Sequence, residues 1–153
     1  MRTLDELLWP DDSNATLHDA ELLNLTIDYV QATAEFTLSI CVGDPSSDTE
    51  AIREARQTGI LRVTGLEVLL IEPPDPRYRP AVRKALWIDA DLESVASDSD
   101  VQPGDQTGNP IRFWVFVHDW NSFLRVIGKK VSFRWEDLLC SSDNHPQVQH
   151  NGY

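Results

Sequence analysis

Apolar and polar residues alternate along much of this chain, and a period of two indicates half-buried β-strands rather than helices. The alternation begins with Leu23, Leu25, Ile27 and Tyr29 and resumes with Ala34, Phe36, Leu38, Ile40 and Val42. Only residues 30–33 separate the two segments. Because so short a connection suits antiparallel neighbours, the pattern predicts a β-hairpin over residues 23–42.

Five further segments are rich in β-branched and aromatic residues, which favour strands. They cover residues 60–71, 85–88, 111–117, 123–127 and 131–135. Gly65 lies inside the first of them and predicts a β-bulge. Gly128-Lys129-Lys130 predicts a turn between the last two. The segment 111–117 is apolar on both faces after Arg112, so we expect this strand to be buried on both faces.

The predicted elements leave little room for helix. Residues 4–9 are expected to form a short N-terminal helix, with Thr3 as its cap, Pro10 as its stop and Trp9 packed against the body. Residues 49–57 are expected to lead irregularly into the next strand, with a short helix as the alternative. Strands that follow one another without long crossovers pair antiparallel. The predicted fold class is therefore mainly β, an antiparallel sandwich or a partly open barrel of about seven strands.

The 153 residues are sufficient for one self-contained core. We expect residues 1–140 to form a single β-rich domain, with a mobile polar loop over residues 94–110 and a disordered tail over residues 141–153. Cys41 and Cys140 belong to no Cys-x-x-Cys motif or Cys/His cluster. They are therefore expected to be reduced thiols rather than ligands of a structural zinc ion.

The formal net charge of −12 comes from 25 Asp and Glu against 13 Lys and Arg. Such an excess repels phosphate backbones, so it argues against nucleic acid and favours a basic protein partner. Within the first 52 residues the only basic side chain is Arg2, whereas Arg77, Arg79, Arg83 and Lys84 form a compact cationic stretch. Because the chain lacks a long apolar run and a signal peptide, we expect no membrane partner and a cytoplasmic location.

Two His-Asp dipeptides, His18-Asp19 and His118-Asp119, are candidate site residues at the ends of predicted strands. Their side chains can satisfy strand-end backbone groups by hydrogen bonding, and Asp19 is expected to accept from a strand-entry amide. The alternative is a metal-dependent hydrolase in which both pairs hold zinc, manganese or iron. Pairs at opposite ends of their strands would stand about 20 Å apart and could not share an ion. We therefore expect hydrogen bonding, with no metal and no cofactor.

Tryptophan is abundant, with five residues in the chain. Trp87, Trp114 and Trp135 fall in predicted strands and are expected to belong mostly to the core. Trp120 lies in a predicted turn beside the second His-Asp pair, where an exposed indole would serve as a binding anchor. Packing over the end of a sheet is the interpretation that we favour for this residue.

No catalytic residue is predicted. The chain lacks the GxSxG, GxGxxG and GxxxxGK[ST] motifs. Cys140 with His145 or His150 would lie in the predicted tail, where no third group could orient a nucleophile and its base. Asp89 and Asp91 share one face of a predicted strand, and a solvated edge explains them better than glycosidase chemistry.

A family resemblance rests on the Leu17-His18-Asp19-Ala20 motif, the hairpin that follows it and the strand containing Val63-Thr64-Gly65-Leu66. With these features the chain resembles a loose group of uncharacterised small bacterial β-rich proteins that begin with Leu-His-Asp-Ala or Leu-His-Asp-Ser. Some of their relatives are regarded as immunity proteins of polymorphic toxin systems. The resemblance implies a non-enzymatic protein-binding module, for instance one that neutralises a basic toxin nuclease. A third alternative is an accessory protein whose sheet edge pairs with itself.

Overall fold

The computed structural model describes residues 1–10, 14–78, 85–93 and 110–136, and most of them lie in antiparallel β-strands. The strands are β1 (Thr16–Asp28), β2 (Thr33–Cys41), β3 (Arg56–Ile71), β4 (Leu86–Leu92), β5 (Ile111–Val117) and β6 (Ser122–Trp135). They form a closed barrel in the order β1-β2-β3-β6-β5-β4. The prediction of a mainly β, antiparallel fold is confirmed, whereas the sandwich and the partly open barrel are replaced by a closed sheet.

Pairing between β1 and β4 closes the barrel. This seam consists of three residue pairs: Ala20 with Ile88, Glu21 with Trp87, and Leu22 with Leu86. In contrast, β3 and β6 pair over most of their lengths. Alternation along a sequence shows the two faces of a strand but not its neighbours. The sequence pattern therefore could not distinguish a sheet that closes on itself from two sheets packed face to face.

The turn predicted at Gly128-Lys129-Lys130 is wrong, because β6 passes through these residues without interruption. β3 is long enough to pair with β6 on both sides of this point, and it reaches Leu124 through Ile71. A glycine is needed at position 128 because a Cβ there would lie 2.4 Å from Val63 Cγ1. The last two predicted strands are thus one strand, and the barrel has six strands instead of seven.

The prediction of a bulge in β3 is confirmed, but the bulge lies just after Leu66 rather than at Gly65. Gly65 has a φ of +62°, and the register of β3 against β6 shifts between Leu66 and Val68. Glycine adopts this left-handed conformation without the steric cost that a Cβ imposes. The β1-β2 hairpin is confirmed too, since the two strands pair up to Asp28 and Thr33.

The N-terminal segment forms a 3-10 helix over Leu4–Leu7. Leu4 and the following Leu8 are fully buried, whereas Trp9 is 48% exposed. The expected packing of Trp9 is therefore wrong, because Leu8 takes the inward side of this turn and its neighbour faces out. The expected cap is also wrong, since Thr3 makes no side-chain capping hydrogen bond.

A single helical turn, α1 (Glu50–Arg53), precedes β3. The irregular lead favoured for residues 49–57 is therefore wrong, and the short-helix alternative holds for one turn. The Thr49 carbonyl accepts hydrogen bonds from the N–H groups of Ile52 and Arg53. None of the α1 residues is buried, which explains why the sequence carries no apolar stripe for this turn.

Inward-facing side chains from all six strands fill the barrel. Phe36 of β2 and Phe113 of β5 meet edge to face, with ring centroids 6.0 Å apart. The outward residues Trp114 and Phe116 of β5 are only half-buried, and both pack against Phe123 of β6. Burial of β5 on both faces is therefore wrong, because a closed barrel has one interior and no second layer within the described ranges covers this outer face.

Several predictions concern residues outside the described ranges: the loop 94–109, the tail 141–153, Cys140, and the cationic residues Arg79, Arg83 and Lys84. Cys41 is a free, half-buried thiol. It lies on the outward face of β2, opposite the face that carries the core residues. Arg77 forms an ion pair with Asp75 at 2.7 Å. Within the described ranges, no helix is long and apolar enough to cross a membrane.

Candidate functional site

The His18-Asp19 pair lies within β1 rather than before it, and both of its residues are exposed. Neighbours in a regular strand point to opposite faces. Here the register of β1 against β2 is irregular between Thr16 and Glu21, and Asp19 has a φ of +58°. Aspartate tolerates this left-handed conformation better than most residues. The irregularity therefore turns two consecutive polar side chains to the surface, as bulges do beside functional sites.

Asp89 joins the two His-Asp pairs into one cluster. Its Oδ1 lies 2.6 Å from His18 Nδ1 and accepts a hydrogen bond from the Asp19 backbone N–H at 2.9 Å. Its Oδ2 lies 2.8 Å from His118 Nε2. The separated arrangement considered from the sequence does not occur, because β4 runs between β1 and β5 and carries Asp89 between the two pairs.

Trp87 links the same elements on the outer surface of the barrel. Its indole Nε1 donates to Asp19 Oδ1 at 3.1 Å, and its ring stacks on the His118 imidazole with centroids 4.7 Å apart. Its backbone N–H donates to Asp119 Oδ2 at 3.0 Å. Asp119 lies in a 3-10 helix, His118–Trp120, that follows β5. Its carboxylate thus provides the strand-end hydrogen bonding expected of these dipeptides.

We call the outward face of these residues the seam surface. It comprises His18, Asp19, Glu21, Trp87, Asp89, His118 and Asp119. The side chains of His18 and Asp19 are 70% and 54% exposed, and Trp87 is 42% exposed. The Asp89 side chain is only 20% exposed. Asp89 is therefore the enclosed centre of the seam surface, and the other three are accessible to a ligand or partner.

The hydrogen bonds of Asp89 change the pKa values within this cluster. Its hydrogen bond with His18, together with the negative charges of Asp89 and Asp19, raises the pKa of His18 above its ordinary value of 6.5. Partial burial works to raise the pKa of Asp89. The hydrogen bonds from the Asp19 backbone, His118 and His18 outweigh it, so the pKa of Asp89 lies below 3.8. The His18-Asp89 pair is therefore ionic over the weakly acidic range.

The entrance of β1 is fixed by Asp5 of the N-terminal 3-10 helix. Asp5 Oδ1 accepts from the Leu17 N–H at 2.8 Å, and its Oδ2 accepts from Thr16 Oγ1 at 2.9 Å. The expectation that Asp19 accepts from a strand-entry amide is therefore wrong. Because its side chain is turned outward, Asp19 instead accepts from the indole of Trp87.

Trp87 lies at the surface, whereas Trp120 packs against the core. Trp87 is accessible because Ile88 takes the inward position next to it, so its expected place in the core is wrong. Trp120 is half-buried and packs against the core, which agrees with the packing favoured for this residue. Together with Leu22 and Leu86, it lines an apolar pocket of about 310 Å³. Since Leu22 and Leu86 form the last pair of the seam, this pocket adjoins the seam surface.

Sequence reasoning missed Asp89, which it treated together with Asp91 as a solvated edge. Both lie on the outward side of β4, yet Asp91 Oδ1 accepts from the Leu4 N–H at 3.3 Å, a contact with the N-terminal helix. The sequence around the two aspartates gives no sign that they have different partners. Only the strand order, which brings β4 between the two His-Asp pairs, identifies Asp89 as their common partner.

The cluster has the donor atoms for two kinds of chemistry. One ligand atom each from His18, Asp19 and Asp89 lies within 4.8 Å of the other two, and imidazole with carboxylates can coordinate a divalent metal. The same groups can form ion pairs and hydrogen bonds with a cationic protein surface. Because the two His-Asp pairs lie together, their separation no longer argues against a metal site or a protein-binding surface.

Charge is distributed unevenly among the strands. β1 and β4 contain no lysine or arginine. β3 and β6 contain six such residues: Arg56, Arg62, Arg125, Lys129, Lys130 and Arg134. In the order of the barrel the β3-β6 pair lies opposite the β1-β4 pair. Of these six residues, Arg56 reaches the seam. Its Nη2 donates to the Asp19 carbonyl at 2.8 Å, and its Nε lies 3.8 Å from Glu21.

Comparison with known proteins adds a structural likeness only. No protein-family model matches the chain, and no curated protein matches its sequence. A solved structure of an uncharacterised protein from Neisseria gonorrhoeae is similar to it, with a TM-score of 0.46 and 10% sequence identity. The similarity covers 78% of this chain and 93% of that chain. The resemblance to immunity-related bacterial proteins stays a prediction.

Proposed function

We propose that the chain is a non-enzymatic, cytoplasmic protein-binding module that binds a basic protein through the seam surface. The observation that carries the proposal is an accessible tryptophan held within an acidic surface. Trp87 is 42% exposed, yet both its ring and its indole N–H are fixed by neighbours. An aromatic side chain that is ordered before binding contributes contact area at little cost in conformational entropy.

The charges around Trp87 favour a cationic partner. Asp19, Glu21, Asp89 and Asp119 contribute four carboxylates to the seam surface, whose strands β1 and β4 contain no lysine or arginine. One arginine, Arg56 of β3, reaches this surface beside Glu21. Because most basic strand residues lie on the β3-β6 side, the barrel has an electrostatic polarity. A basic partner would be steered toward the seam surface, which increases its association rate.

The apolar pocket beside the seam offers a second kind of contact. It is lined by Leu22, Leu23, Leu86, Trp120 and Leu124 among others, and has a volume of about 310 Å³. An acidic surface beside an apolar pocket fits a partner that presents a basic loop with one apolar side chain. Interfaces of this type combine a buried anchor with a charged rim. The toxin nuclease implied by the family resemblance belongs to this class of basic proteins.

The test is an affinity capture from the source cell with matched bait variants. Wild-type protein is compared with Trp87→Ala and Glu21→Lys, which alter the seam surface, and with Lys130→Glu, which reverses an exposed charge on the opposite side. Circular dichroism and thermal unfolding verify that each bait is folded. The proposal predicts a basic protein that the wild type and Lys130→Glu retain and that both seam variants lose.

The captured protein is then purified and titrated. We expect Trp87→Ala to weaken binding by about tenfold or more, the size that marks an interface hot spot. Glu21→Lys should mainly reduce the association rate, with a smaller effect at high salt. A partner that binds the seam variants as tightly as the wild type, or that only Lys130→Glu releases, would show that the seam surface is not the interface.

A further inference from the structure

We propose that His18, Asp19 and Asp89 bind one divalent transition-metal ion of the zinc class. The site does not depend on the protein-binding function, because it requires only side chains of this chain. It also differs from the hydrolase considered from the sequence, in which both His-Asp pairs supply ligands. Here the second pair supplies a supporting group, and no reaction is assigned to the ion.

The donor atoms are close enough for one ion. Zinc-ligand distances are about 2.0 to 2.2 Å in a tetrahedral site, so two ligand atoms on one ion stand about 3.3 to 3.6 Å apart. One donor atom from each of the three residues lies within 4.8 Å of the other two, so side-chain rotations that move these atoms by about 1 Å would bring them to coordination distance. One nitrogen and two carboxylate oxygens suit zinc or manganese, with water filling the remaining positions.

Both carboxylates are oriented by a ring N–H group outside the ligand set. Trp87 Nε1 donates to Asp19 Oδ1, while the Asp19 Oδ2 atom lies 3.8 Å from His18 Nε2. His118 Nε2 lies 2.8 Å from Asp89 Oδ2, while the Asp89 Oδ1 atom lies beside His18. In each case one oxygen is held by the support and the other faces the His18 imidazole. Asp89 lies at Nδ1 and Asp19 at Nε2, so the ring must rotate to bring both oxygens to the nitrogen that binds the ion. Metal sites use this kind of outer support to hold carboxylate ligands in place.

The backbone also favours convergence. The irregularity in β1 presents His18 and Asp19 on the same surface, whereas a regular strand would separate them onto two faces. In the metal-free form the imidazole and Asp89 are joined by a hydrogen bond. The ion would take the place of the proton at the His18 nitrogen that it binds, so binding releases that proton when His18 is charged.

The test is isothermal titration of Zn²⁺ into tag-free, chelator-stripped protein, with Mn²⁺ and Mg²⁺ as comparison ions. We expect one Zn²⁺ per chain with micromolar or tighter affinity, and weaker binding of Mg²⁺. His18→Ala and Asp89→Asn should abolish this binding. His118→Ala should weaken it by about 10- to 100-fold, the usual effect of losing an outer-shell partner. Thermal unfolding with a chelator present shows whether each variant still folds.

The chain's other two histidines provide the matched control. The double variant His145→Ala, His150→Ala should bind Zn²⁺ like the wild type. Loss of binding in this variant would mean that zinc binds elsewhere. The proposal is also overturned if the wild type binds no stoichiometric zinc, or if folded His18→Ala or Asp89→Asn protein binds it unchanged. Zinc binding is measured without a partner, and partner binding can be measured on zinc-free protein. Each of the two proposals can therefore fail without the other.

Discussion

His18 Nδ1 lies 2.6 Å from Asp89 Oδ1 although the two residues are 71 positions apart in the chain. The contact crosses the β1-β4 seam that closes the barrel. Because Asp89 also binds His118, the shortest junction of the sheet is reinforced by side chains from three elements. The same contact forms part of the seam surface on which both proposals depend. Its effects on stability and on the pKa of His18 can be measured without a ligand.

Removal of the central carboxylate should destabilise the metal-free protein. Asp89→Ala deprives the Asp19 N–H, His18 and His118 of their common acceptor. We expect the free energy of unfolding to fall by about 1 kcal/mol, because His118 loses a partly buried hydrogen bond while water can replace the partner of the exposed His18 and Asp19 groups. Denaturant unfolding measures the loss. The exposed charge variant Lys130→Glu serves as the control, and an Asp89→Ala protein as stable as this control would contradict the bridging role.

The His18 imidazole should titrate above its ordinary pKa of 6.5, because its hydrogen bond with Asp89 stabilises the charged form. The pKa is raised on folding, so the stabilisation is complete below pH 6.5 and is lost as the pH rises through the folded value. Proton NMR of the metal-free protein measures this value directly. In Asp89→Asn the pKa of His18 should return toward 6.5. A wild-type value at or below 6.5 would be inconsistent with the observed contact.

The same linkage has the opposite sign for Asp89. Its pKa is lowered from 3.8 on folding, so its contribution is present above that pH and disappears as the pH falls through the folded value. The difference in stability between the wild type and Asp89→Asn should therefore be largest between about pH 4 and 6.5 and shrink on both sides. Unfolding curves across this range test the prediction, and a difference that does not change with pH would contradict it.

Backbone conformation makes a separate prediction on β3. Gly65→Ala should lower the free energy of unfolding by about 1 kcal/mol or more, because alanine is strained at a φ of +62°. The new Cβ would also lie 2.7 Å from Lys129 Cγ. The matched control is Ala32→Gly, which removes a side chain from a residue at φ +48° and should be neutral or stabilising. If Gly65→Ala is neutral in a thermal melt, the left-handed conformation of Gly65 is wrong.

Local patterns in the sequence were sufficient for the strand class and the first hairpin, because alternation and turn residues act over a few positions. Gly65 likewise marks an irregular part of β3, although the register shift lies just after Leu66. The continuous β6 was missed because Gly128 and two lysines resemble a turn. In the barrel, the long β3 partner carries the strand through that segment, so tertiary pairing outweighs local propensity.

The candidate site was only partly predictable. His18, Asp19, His118 and Asp119 were identified as polar pairs near predicted strand ends, and the structure brings all four together. Asp89 and Trp87 could not be recognised, since their positions on the seam depend on the pairing of β4 with β1 and β5. Closure of the barrel is a long-range property, and no residue near Asp89 in the chain encodes it.

A hydrogen-exchange footprint shows whether a basic protein binds at the seam surface, as we propose. Exchange is measured on the protein alone and saturated with the captured partner. We expect the partner to slow amide exchange at residues 17–22, 86–90 and 117–120, with little change along β6 at residues 125–134. Protection confined to the β3-β6 side, with unchanged exchange along the seam, would contradict it.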